Sequence, residues 1–219
     1  VANWFCPLLA RHEILLDLHS TRAKNPAFAM LGPRDNDGPL QPFRHSARER
    51  ALALRLGVHR FVDAWLETYA KGVERRIRRL GVTGTRANAL NTDPRYGVGA
   101  TEYMRAAGGC AITLECGQHE DPEAPDVGYR AILNALAHLG HTRTAHSAVV
   151  QYVEYLSLCE VTDRAHEGDT FSREWSSFNR IARGHLIATR HDGTRVLAEE
   201  DGYILFPDAK ALPGNEWFY

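Results

Sequence analysis

The chain has 219 residues, with 26 Lys and Arg against 27 Asp and Glu for a formal net charge of -1, and is 44% hydrophobic and 24% charged. Those proportions describe an ordinary folded chain, long enough for one full core and a smaller unit. They argue against a nucleic-acid-coating surface, and no run approaches the roughly 20 apolar residues of a membrane-spanning helix.

Cys6, Cys110, Cys116 and Cys159 show no Cys-x-x-Cys spacing, which predicts reduced thiols and a cytoplasmic chain. The sequence starts at Val1 rather than methionine. Val1 to Leu9 has neither the basic flank nor the long apolar centre of a signal peptide, so a fragment or a chain trimmed upstream is expected.

The first clear element is Glu13 to Ser20, large aliphatics that end in Asp17-Leu18-His19-Ser20. This is the pattern of a buried strand that delivers polar groups to the edge of a sheet, where open α/β sheets bind ligands. Ala27 to Leu31 is a second short apolar run, and Arg34 to Pro39 is a loop dense in turn formers. Ser46 stands where an N-cap belongs, ahead of a helix over residues 47–56 broken at Gly57. A second helical pattern runs through Phe61, Val62, Trp65, Leu66 and Tyr69 to Leu80, its apolar positions three and four apart. The basic cluster Glu74 to Arg79 falls on it and reads as a solvated helix face.

Gly81 to Ala100 reads as a long irregular connection, followed by a short helix over Thr101 to Ala107 that Gly108-Gly109 stops. Cys110 to Gly117 is a second buried strand, this one ending in Glu115. Asp126 caps a helix with the expected buried stripe Tyr129, Ile132, Leu133, Leu136 and Leu139. After about His141 the character changes to short extended runs: Val149 to Leu156, Leu158 to Thr162, a hairpin about His191-Asp192-Gly193, and Gly202 to Pro207. A domain boundary is expected near residue 145, with an α/β unit over residues 1–145 and a small antiparallel β unit over residues 146–219.

Chemistry concentrates at the two strand ends. Residues two apart on a strand share a face, so Asp17 can orient the His19 imidazole, the arrangement common behind metal-bound histidine. An apolar strand ending in Glu115 gains nothing unless the carboxylate is solvated, paired or used. In a partly desolvated cleft its pKa rises toward the range of a general base. The structural alternatives are a loop histidine after a core strand and a carboxylate that caps the next turn. Together the two ends suggest hydrolysis at a metal-activated water, which needs three protein ligands. None of the eleven histidines has glutamate three positions later. His166-x-x-Asp169 and His138-x-x-His141 read as structural.

Four stretches, Leu16 to Ser20, Gly99 to Arg105, Thr113 to His119 and Pro213 to Tyr219, resemble in order the succinylglutamate desuccinylase/aspartoacylase family of zinc carboxypeptidase-like hydrolases. The resemblance implies an α/β fold: a zinc-carboxypeptidase-like mixed sheet flanked by helices, N-terminally truncated, followed by a small antiparallel β domain. It implies His19 as a zinc ligand with Asp17 behind it and Glu115 as general base. It implies Arg105 as the holder of a substrate carboxylate, and Tyr219 or Phe218 as an aromatic closing over the substrate. The family's His-x-x-Glu pair is absent, so two zinc ligands are expected upstream of Val1. The partner implied is a small N-acyl amino acid or related compound, with no nucleic acid and no membrane, and the homo-oligomeric state stays open. The rival expectation is a non-catalytic fragment or binding module of the same fold that lacks a complete zinc site.

Overall fold

A computed structural model of the chain describes residues 2–34, 43–80, 93–143 and 148–219. The Asp35 to Pro39 part of the expected loop, most of the Gly81 to Ala100 connection and the expected boundary near residue 145 lie outside them. The chain divides into two units interleaved along the sequence: residues 1–20, 27–67 and 95–158, and residues 21–26, 68–94 and 159–219.

The first unit is built on a five-stranded sheet of β1 (Ile14–Thr21), β2 (Phe28–Met30), β3 (Arg60–Asp63), β4 (Cys110–Gln118) and β5 (Glu154–Ser157), in the order β1-β4-β2-β3-β5. The sheet is mixed: β2 runs antiparallel to β4, with Phe28 opposite Glu115, and parallel to β3, which runs parallel to β5. At one end of the β1–β4 pair Cys110 N donates to Glu13 O, and at the other Ser20 meets His119, so these strands run parallel. β4 is buried along nearly its whole length, which its unbroken Cys-Ala-Ile-Thr-Leu run requires of an interior strand.

Alternation along β4 divides the core. Ile112, Leu114 and Cys116 pack with Leu52, Ala53 and Leu56, from and just after α2 (Ser46–Ala53), and with Ala124, Ala131 and Ala135 of α5 (Ala124–His138). Ala111 packs on the other face with Leu9 of α1 (Ala2–Leu9) and Met104 of α4 (Ala100–Ala106), beside Leu15 of β1.

Three elements differ from the sequence expectation. Phe61 and Val62 are not the start of a helix: they form β3, each 1% exposed, between β2 and β5. Ala64, in the left-handed region at φ 64°, separates this strand from α3 (Trp65–Leu80). The extended run before Ser157 joins the five-stranded sheet rather than the antiparallel strands that follow, because Glu154 N bonds His59 O and Tyr155 packs edge-on to Phe61 at 5.3 Å. On α5 the expected stripe turns largely outward, with only Leu136 and Leu139 half-buried. Gly128, Ala131 and Ala135 are buried, whereas Tyr129, Ile132 and Leu133 are exposed, because the helix lies so close to β4 that only small residues fit beneath it.

The second unit consists of short antiparallel pairings. β6 (Thr162–Asp163) pairs with β12 (Glu216–Phe218), β8 (Asn179–Ile181) with β11 (Gly202–Ile204), and β9 (Leu186–Thr189) with both β7 (Thr170–Phe171) and β10 (Arg195–Leu197). The β9–β10 turn carries Gly193 at φ 87°, as the Asp-Gly pair predicts. Trp175, Ile187, Ile204, Trp217 and Phe218 form its core. The basic cluster of α3 is not uniformly solvated: Arg76 is buried and binds Asp163 with Nε (3.0 Å) and Nη2 (2.6 Å), and Glu216 with Nη2 (2.7 Å). Ile77, one turn after the buried Val73, is exposed. Among the described residues no helix is long and apolar enough to cross a membrane.

Candidate functional site

The two apolar runs that end in polar residues lie side by side. β1 and β4 are neighbours and run parallel, so their carboxyl ends open at the same edge of the sheet, where α/β folds hold ligands. Gly128 of α5 packs over Leu18 and Cys116, which fixes the even-numbered residues to the α5 side. Asp17, His19 and Glu115 therefore share the opposite face.

Asp17 Oδ2 accepts from His19 Nε2 at 3.1 Å, with the imidazole half exposed. That hydrogen bond, ahead of the charges of Asp17 and Glu115, pushes the His19 pKa up, with burial opposing. It also leaves Nδ1 as the ring nitrogen free for a ligand.

Glu115 is 6% exposed, and its Oε2 has no hydrogen-bond partner. Burial pushes its pKa up to about 7; the Asp17 charge adds to the rise and the His19 charge opposes it. A carboxyl group shared between its two protonation states near neutral pH can take a proton and return it. Gly117, still within β4, stands at φ 144°, and a Cβ there would lie 3.1 Å from Asp121 Oδ2, so the strand takes a glycine two residues after the glutamate.

The structure brings Asp17, His19 and Glu115 together, but not Arg105. Arg105 is 3% exposed and fully engaged: Nε donates to Glu49 Oε2 (3.0 Å), Nη1 to Glu102 Oε1 (3.3 Å) and Nη2 to Ala111 O (2.5 Å). Ala111 lies four residues before Glu115 on β4, about 13 Å at the rise of a strand. Tyr219 belongs to the second unit, where its backbone pairs with Leu205, its ring stands edge-on to Phe206, and burial pushes its phenol pKa up.

One pair at this edge was missed by sequence reasoning: Ser20 Oγ lies 2.9 Å from His119 Nδ1. The available signal is the polar residues just past each run, Ser20 after His19 and Gln118-His119 after Gly117.

As to metal, no group of three or more His, Cys, Asp or Glu side chains placed to hold an ion occurs among the described residues. His19, with Asp17 behind it, fits one ligand position. The residues described do not make a zinc site by themselves.

No protein-family model and no curated protein matches the sequence. Solved structures do. A succinylglutamate desuccinylase/aspartoacylase from Rhodobacter sphaeroides superposes with a TM-score of 0.64 at 16% identity, over 99% of this chain and 60% of that one. The succinylglutamate desuccinylase of Vibrio parahaemolyticus gives 0.60 at 13% identity, over 99% of this chain and 58% of that one. The product-bound ectoine utilization protein EutE (DoeB) from Ruegeria pomeroyi gives 0.59 at 15%, over 93% and 56%. The chain thus spans less than two thirds of the length of these structures. At such identities the likeness is one of fold, and the chain has the fold of the succinylglutamate desuccinylase/aspartoacylase proteins.

Proposed function

We propose that the chain is the Glu115-bearing part of a zinc-dependent hydrolase of the succinylglutamate desuccinylase/aspartoacylase family, a deacylase or amidohydrolase that cleaves the acyl-amide bond of a small N-acyl amino acid or related compound. The observation that carries the reading is Glu115. It is a nearly buried carboxyl group with an unpartnered oxygen and a pKa pushed to about 7, one strand away from the Asp17–His19 pair. The shared fold supports it.

In this reading Glu115 takes a proton from the attacking water and returns it to the departing amine, which a carboxyl group near neutral pKa does in both directions. Asp17 holds the His19 ring in one orientation. Zinc, when bound, would acidify that water, with His19 as one ligand and the others supplied by residues other than those described. The unit of residues 1–20, 27–67 and 95–158, rather than residues 1–145, would then carry the partial catalytic domain, and the unit of residues 21–26, 68–94 and 159–219, rather than residues 146–219, the β domain. The four cysteines are free, in keeping with a cytoplasmic site of action.

The test is hydrolysis of small N-acyl amino acids by the whole protein. Glu115→Ala should abolish turnover while zinc content and the folded state are retained, and turnover in that variant rejects the general-base role. The lack of a three-ligand group among the described residues favours a second reading, a binding module of the same fold without catalysis. Metal analysis separates them: tightly held, stoichiometric zinc defeats the binding-module reading.

A further inference from the structure

The second unit contains a cavity of about 350 Å³, the size of a small-molecule site. Three aromatic side chains, Phe171, Trp175 and Trp217, are part of its lining. Phe171 and Trp217 are stacked with ring centroids 4.5 Å apart.

The charges that border the cavity are mostly taken up. Asp169 is paired with Arg190 at 2.8 Å, and Glu174 lies 3.7 Å from Lys24. Arg164 directs Nη1 and Nη2 at the carbonyls of Ala209, Ala211, Glu167 and Asp169. Arg173 differs. It is exposed, its guanidinium stands 3.9 Å above the Trp175 ring, and it makes no hydrogen bond or ion pair among the described residues.

Trp217 is the second unmatched group. It is 1% exposed and its indole N–H has no acceptor, whereas the Trp175 N–H donates to Ile187 O at 3.0 Å. Buried donors are rarely left without a partner. One cavity therefore combines an aromatic lining with a guanidinium without a counter-ion, and one of its lining residues, Trp217, has a buried N–H without an acceptor.

We propose that this cavity binds a small planar aromatic carboxylate. The ring lies against Phe171, Trp175 and Trp217, and the carboxylate pairs with Arg173, whose planar fork suits it. The proposal uses no residue of the Asp17–His19–Glu115 group, so it stands or falls apart from the hydrolase reading.

The test follows the four tryptophan indole N–H resonances of the full ¹⁵N-labelled chain during titration. The probes are benzoate, its neutral isostere benzamide, and the non-planar cyclohexanecarboxylate. Benzoate should shift the Trp217 resonance saturably; benzamide should bind about tenfold more weakly, the weight of a charged hydrogen bond, and cyclohexanecarboxylate should also bind more weakly, because it keeps the charge but loses the flat ring contact. Arg173→Ala, a change at an exposed position that leaves the core intact, should weaken benzoate binding to a similar degree. The proposal is overturned if the Trp217 resonance does not move saturably, if benzamide or cyclohexanecarboxylate binds as well as benzoate, or if Arg173→Ala leaves the affinity unchanged.

Discussion

Arg105 Nε meets Glu49 Oε2 at 3.0 Å, with both side chains only 2% exposed. The same Glu49 accepts from Gly32 N at 2.6 Å and Ala111 N at 3.0 Å, so the pair ties α2, α4, β4 and the chain after β2 together. Arg105→Ala leaves the Glu49 and Glu102 carboxylates buried without their counter-ion, and should cost about 3–5 kcal/mol. Urea unfolding measures this. A variant that keeps full stability but shows a raised KM would instead make Arg105 a substrate ligand.

Glu115 makes stability depend on pH. Its pKa stands at about 7 in the folded chain against the ordinary 4.5, so the folded state binds more protons between those values. The folded chain is favoured while the group is protonated, and stability falls as pH rises from about 4.5 through about 7. The loss is at most about 3 kcal/mol. Glu115→Gln should match the parent near pH 4 and exceed it at pH 8. His19 adds to the same trend, because its raised pKa contributes stability below its ordinary 6.5 that fades at higher pH. Unfolding at pH 4, 6 and 8 checks this, and a Gln variant no more stable than the parent at pH 8 contradicts it.

The site was legible where a hydrophobic run ends in polar residues. β4 is recognisable because an interior strand needs unbroken apolar sequence, β1 carries a similar aliphatic run although it is a half-buried edge strand, and Asp17, His19 and Glu115 stand out as the charges in these runs. Arg105 illustrates the limit. Its motif gives no sign of Glu49, 56 residues earlier, which the fold places against its guanidinium. β3 is hard to tell from helix in the sequence because Phe61, Val62 and Trp65 satisfy a helical period as well as a short buried strand. On α5 helical spacing points the larger apolar residues inward, but the close packing over Cys116 and Leu18 leaves room only for small residues, Gly128 and the alanines.

Asp169 organises the β9–β10 hairpin of the second unit. Burial pushes its pKa up, but the Arg190 guanidinium and the backbone N–H groups of His191, Ala165 and His166 outweigh that and hold it well below the usual carboxylate range. Its contribution is present above its ordinary 3.8 and lost only as pH falls well below that value. Asp169→Ala removes the acceptor of all four and should cost about 3 kcal/mol. Amide hydrogen exchange should speed up first at Ala165, His166 and His191. Unchanged protection there would show that the hairpin is held by its core instead.

The reversed face of α5 gives a pair of substitutions with opposite signs. A Cβ at Gly128 would meet Cys116 Sγ at 3.4 Å and Leu18 Cδ1 at 3.5 Å, ordinary van der Waals contact. Gly128→Ala should therefore keep the packing and recover most of the helix-propensity deficit of glycine, stabilising by about 0.5–1 kcal/mol. Ala131 is fully buried against the sheet, and Ala131→Leu forces extra methylenes into a filled layer, at a cost of about 1–3 kcal/mol. Leu133→Lys, on the exposed side, should change stability by no more than about 0.5 kcal/mol. Had Tyr129, Ile132 and Leu133 formed the buried stripe, the last two results would be exchanged: Leu133→Lys would be severely destabilising and Ala131→Leu nearly neutral. Thermal unfolding of the three variants thus tests which side of α5 faces the sheet that carries Glu115.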